Sequence, residues 1–140
     1  MIRNRVPNKF KAESMLKSAE IEMNYIKNLN PIKEAGATII SRIYEDFRML
    51  GDALLLIRGK EAIGPDHHTE MINELFTLSV KTERPIRVLN NLKKIRNNIN
   101  YQGYIPLIED VKEVISIAET CFEPILKEVK KELNKINHKI

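Results

Sequence analysis

Apolar residues recur every three or four positions along almost the whole chain, the spacing that gathers them on one face of an α-helix. In a first segment Ala12, Leu16, Ala19, Met23 and Ile26 keep this rhythm until "NLNP", Asn28 to Pro31, stops it. A second segment carries Ile39, Ile43, Phe47, Leu50, Leu54 and Ile57, widened by Ile40 and Tyr44, and Gly59 is suited to end it. "IGPD", Ile63 to Asp66, reads as a turn in which Asp66 caps a third helix from His67 to Ser79. Its apolar face is Met71, Ile72, Leu75, Phe76 and Leu78. Pro85 suits the first turn of a fourth helix, whose stripe is Val88, Leu92, Ile95 and Ile99. Gly103 and Pro106 break that helix. A last seam runs through Val111, Val114, Ala118, Cys121, Ile125, Val129, Leu133 and Ile136, with Pro124 inside it expected to kink or split the helix.

No stretch alternates between apolar and polar with turn punctuation, so no sheet is expected. No repeat or low-complexity linker interrupts the pattern. These observations predict an all-α, up-and-down bundle of about five helices, a single domain over residues 1–140. The apolar faces of the second and last helices look wider than one small bundle covers, which makes dimerisation through one of them an expectation.

Composition sharpens this picture in three respects. Hydrophobic residues make up 43% and charged residues 30%, enough for a core, and the absence of Trp makes that core aliphatic. The net charge of +4 suits a polyanionic partner without requiring one. The lone Cys121 forms no internal disulfide, the basic N-terminal stretch has no apolar segment behind it, and the longest clean apolar run is only "ALLLI". A cytoplasmic protein with no membrane span is the expectation.

The densest polar chemistry is "KKIRNNINYQGY", Lys93 to Tyr104. Arg96 follows the buried-face residue Ile95, so its guanidinium flanks the core, where a planar and permanently charged fork suits phosphate. Asn97 can orient that fork or donate to the same ligand. On an unbroken helix Tyr101 lies about 140° round from Arg96, and the two converge only if the helix loosens before Gly103. A plainer reading stands beside this one, in which Arg96 and the asparagines satisfy the last carbonyls of a helix. Lys81, Arg84, Arg87, Lys93 and Lys94 supply further positive charge, either as a rim that steers RNA or as a solvated face. Tyr101 and Tyr104 are the aromatic residues available there for stacking on bases.

In "DHHTE", His67 and Glu70 share a helical face, but a metal wants at least three protein ligands and none follows nearby. No metal site and no cofactor is predicted. His67 or His68 folding back towards Arg96 stays open. Cys121 lies on the apolar seam and reads as a buried structural thiol.

Five helices with Arg-Asn near the end of the fourth resemble the HEPN domain (higher eukaryotes and prokaryotes nucleotide-binding). That family's signature is an Arg, usually with a polar residue after it, then four to six residues and a His. Arg96 matches the Arg and Asn97 the polar residue, over about Lys9 to Val129 of the chain. "ALLLIRGKEAIGPDHHTEMINEL" is similar to the family's link between its long helix and the next. The resemblance implies a homodimer with the motif of both subunits in a shared cleft, and RNA or nucleotide as ligand. It implies Arg96, Asn97 and Tyr101 as the catalytic set, beside which the chain's own Arg87, Lys93, Lys94 and Tyr104 are the expected RNA contacts. It further implies the ribonuclease-like, toxin-like half of a toxin–antitoxin pair with a nucleotidyltransferase as antitoxin, and any turnover would be that of a metal-independent endoribonuclease.

The chain departs from the family where the His should stand, because Tyr101 occupies that place. A phenol with a pKa near 10 is ionised in only about one molecule in a thousand at pH 7, so it is a poor general base. That sets catalysis by the family's route in doubt and leaves phosphate binding by Arg96 intact. The family's modifiable Tyr, two places beyond the His, is Gly103 here, with Tyr104 one residue late. The rival expectation is a non-catalytic assembly or adaptor module that docks another protein on an apolar helix face.

Overall fold

The computed structural model describes residues 1–103 and 105–138, with the side chains of Lys33, Tyr101, Gln102, Asn137 and His138 outside the description. Five α-helices form the bundle: α1 (Lys9–Ile26), α2 (Gly36–Ile57), α3 (His67–Leu75), α4 (Leu89–Gln102) and α5 (Ile108–His138). All five apolar residues of the first segment are buried on α1, and Asn8 caps it by accepting from the Lys11 amide at 3.0 Å.

The second segment becomes the centre of the molecule. α2 packs against α1, α3, α4 and α5, and its apolar residues from Ile39 to Ile57 are buried, apart from the half-buried Met49. On α5 the predicted seam is buried from Val111 to Leu133 and joined by Ile117, Phe122 and Leu126. Phe122 meets Phe47 edge-on, with ring centroids 5.4 Å apart. The wide faces of α2 and α5 are therefore spent inside one chain. The expectation that one of them is left for a second copy is corrected, because a helix surrounded by four others needs apolar residues all round.

Three local expectations also change. Pro124 leaves α5 as a single helix, although it removes the amide that would bond the Thr120 carbonyl. The third helix ends at Leu75, and Phe76, Thr77 and Leu78 continue as turns whose amides bond the carbonyls of Asn73, Glu74 and Leu75. Asp66 sits at the cap position of α3 but its side chain makes no cap hydrogen bond. On α4, Leu92 is fully buried along with Leu89, whereas Val88, Ile95 and Ile99 are half-buried. Gly103 ends α4 in the left-handed conformation at φ 64°, as its position before a break requires.

A small antiparallel ribbon was not expected. β1 (Ile2–Asn4) pairs with β2 (Lys60–Ala62) in the register Ile2–Ala62, Arg3–Glu61 and Asn4–Lys60. Strands of three residues are too short to show alternation, and their pairing joins segments far apart in sequence. Arg3 and Arg5 both donate to Glu61 and fasten the ribbon. No helix among the described residues is long and apolar enough to cross a membrane.

Candidate anion site between α2, α3 and α4

Arg96 projects from the middle of α4 onto α2. Its guanidinium carbon lies 4.6 Å from the centroid of the buried Tyr44 ring, a cation–π contact. Nη1 donates to Asn97 Oδ1 at 3.3 Å, and Nη2 lies 3.9 Å from Glu45 Oε1. Only 12% of the Arg96 side chain is exposed. Arg96 therefore flanks the core, as its place beside Ile95 implies, and Asn97 orients the fork.

The second carboxylate oxygen of Glu45 serves another arginine. Arg48 donates to Glu45 Oε2 through Nε at 3.0 Å and Nη2 at 2.8 Å. Its remaining nitrogen, Nη1, donates at 3.2 Å to the Met71 thioether, a weak acceptor. Two recessed guanidiniums thus converge on one carboxylate, and one of them has an N–H aimed at sulfur.

Met71 brings α3 into the site. A Cβ on Gly51 would lie 1.9 Å from the Met71 carbonyl oxygen, so the absence of that atom is what lets α2 and α3 touch there. Arg48 is one turn before Gly51 and His68 one turn before Met71, so the crossing sets the imidazole against the arginine pair. Burial pushes the His68 pKa down, and Arg48, the neighbouring His67 and Arg96 push it the same way, against a weaker pull from Glu45. His68 is accordingly neutral at pH 7. His67 packs beside it at 4.0 Å between ring centroids, with Nδ1 2.8 Å from the Gly64 carbonyl oxygen.

The other sequence candidates lie elsewhere or are employed otherwise. The side chains of Tyr101 and Tyr104 lie outside the described residues. Lys94 is exposed and Lys93 half-buried on α4, while Arg87 is exposed with its guanidinium 5.7 Å from the Phe76 ring. Arg84 leaves the proposed rim, since it pairs with Glu113 of α5. Glu70 takes the Met1 amine. Among the described residues no three His, Cys, Asp or Glu side chains gather as metal ligands. Cys121 is buried with its thiol pKa raised by that burial, as a structural thiol should be.

Of the sequence candidates, the fold brings Arg96 and Asn97 beside Glu45, and the sequence leaves His68 open. Sequence reading missed Arg48 and Glu45, which sit on the polar sliver of the most apolar helix. Their i, i+3 spacing is the one signal that pointed to a pair. Comparison with protein-family models, curated proteins and solved structures gives no match to this chain.

Proposed function

We propose that this is a HEPN-like protein that binds RNA or a nucleotide through Arg96, Asn97 and Arg48, working as a homodimer. The observation that carries the reading is the convergence of Arg48 and Arg96 on the single carboxylate of Glu45. Two guanidiniums against one carboxylate leave an excess positive charge in a recess, which favours an anion. Arg87, Lys93, Lys94 and the overall +4 charge favour a polyanion over a small acid. The family resemblance adds a toxin-like role beside a nucleotidyltransferase antitoxin in the cytoplasm.

Arg96→Ala is expected to weaken binding of a single-stranded RNA about tenfold to a hundredfold, the worth of one charge-assisted pair. Arg96→Lys should recover only part of that, because it keeps the charge and loses the fork. Fluorescence anisotropy measures both, with circular dichroism confirming the helices. An unchanged isotherm for Arg96→Ala removes this site.

A second reading has its own observation. Phe10, Ile21 and Tyr25 are exposed on the outer side of α1, at spacings that place them on one face. An adaptor role through that face predicts RNA affinity that is indifferent to Arg96.

A further inference from the structure

We propose that the recess formed by Arg48, Arg96 and His68 takes a terminal phosphate, a phosphomonoester dianion, and that His68 gains a proton as the dianion enters. The proposal rests on the reading of Arg96 as a phosphate ligand and names the kind of phosphate.

Arg48 and Arg96 carry two positive charges, and Glu45, which contacts both, carries one negative charge. With His68 neutral the recess has an excess of one positive charge, which a phosphodiester balances. A terminal phosphate carries close to two negative charges at pH 7, and the second is balanced when the imidazole becomes imidazolium. His68 is the group placed to respond. Arg48 and Glu45 on α2, Arg96 on α4 and His67 on its own helix all act on it electrostatically, with Glu70, two residues on, held by the Met1 amine.

Donors favour the same ligand. Arg48 Nη1 is spent on the Met71 sulfur at 3.2 Å, so a phosphate oxygen there replaces a weak acceptor with a charged one. A terminal phosphate presents three free oxygens, which suits two arginine forks and an imidazole N–H. A diester presents two.

The sign of the pH dependence follows. Unliganded His68 is held below its ordinary 6.5 by burial and by the arginines. A bound dianion favours the imidazolium and raises that value. Binding then takes up a proton, and affinity for a terminal phosphate falls as pH rises through the raised value, while affinity for a diester changes little.

Isothermal titration calorimetry at pH 7 in two buffers of different ionisation enthalpy tests this. The probes are inorganic phosphate, adenosine 5′-monophosphate, the dinucleoside monophosphate adenylyl-adenosine, and one oligoribonucleotide with a 5′-phosphate or a 5′-hydroxyl. The 5′-phosphorylated oligonucleotide should bind about tenfold tighter than its hydroxyl twin, the size of an ordinary two-site coupling, with proton uptake that the diester lacks. His68→Gln should erase the preference and the uptake. Uptake with inorganic phosphate and the mononucleotide assigns the site to the phosphate group itself. Uptake with the oligonucleotide alone assigns it to an RNA end, and both outcomes uphold the proposal. Equal affinity for the twins, or uptake unchanged in His68→Gln, overturns it while the phosphate reading stands. Binding of every probe unaffected by Arg96→Ala, or binding of none, overturns that reading and the proposal with it.

Discussion

Asp46 is buried to 1% exposure between α2 and α1, and it is the most unusual titrating group described here. Burial pushes its pKa up to about 8, and the hydrogen bond it shares with Glu22 acts in the same direction. Glu22 stays ionised because Arg42 holds it with two hydrogen bonds, at 2.9 and 2.7 Å. Asp46 therefore folds protonated, while one of its oxygens, Oδ2, has no partner among the described residues. The unfolded chain releases that proton near pH 3.8 and the folded chain near 8. Stability from this group is complete below the lower value and is lost as pH rises through the upper one, by up to about 1.4 kcal/mol per pH unit for one proton. Asp46→Asn, which keeps the shape without the proton, should flatten that slope. Urea melts at pH 5, 7 and 9 should show the variant gaining on the wild type as pH rises, and parallel curves would refute the assignment. At this scale the sequence was half legible. Arg96 announced itself through its neighbour Ile95, but nothing near Asp46 in the chain marks it as buried, because Glu22 comes from another helix.

Helices were the most legible elements, since burial follows the three-and-four rhythm on α1, α2 and α5 almost residue for residue. What the rhythm does not contain is how two helices approach each other. Gly51 looks like a weak point in the middle of α2, a helix-destabilising residue among Leu and Met. Its purpose appears only when the Met71 carbonyl of α3 occupies the space a side chain would fill. Gly51→Ala gains helix propensity and loses the crossing, and the second effect is larger because the clash is with backbone. The variant should be destabilised by about 3 kcal/mol, and if the proposed RNA binding holds, that affinity should fall even where the variant is folded, since α3 carries His68 and Met71. Thermal melts and anisotropy measure the two effects separately. A melting temperature equal to or above that of the wild type would sink this account. The ribbon of β1 and β2 and the uninterrupted passage of α5 through Pro124 were also illegible. The ribbon is decided by partners distant in sequence.

On the scale of the molecule, α2 is the axle and Arg58 at its end is the fastening. Arg58 donates to Glu132 of α5 and Glu74 of α3, at distances from 2.6 to 2.9 Å, so three helices meet on one side chain. With α2 and α5 covered inside the chain, a dimer has to use other surfaces. Ile105, Leu107 and Ile108, exposed between α4 and α5, lie just beyond the C-terminal end of α4. Sedimentation velocity should give a dimer, and Leu107→Glu should shift it to monomer with the melting curve unchanged. A monomer at high micromolar concentration would remove the shared cleft from the proposed function and leave the recess of a single subunit.

Tyr44, Glu45 and Arg48 all belong to the helix that the other four enclose. That helix cannot shift or rotate without dismantling the interior, so half of the recess is cast in the same piece as the foundation of the fold. Diversification of the ligand among variants of this chain must then come from α3 and α4, the outer walls. The inner wall can change only at the cost of the whole building.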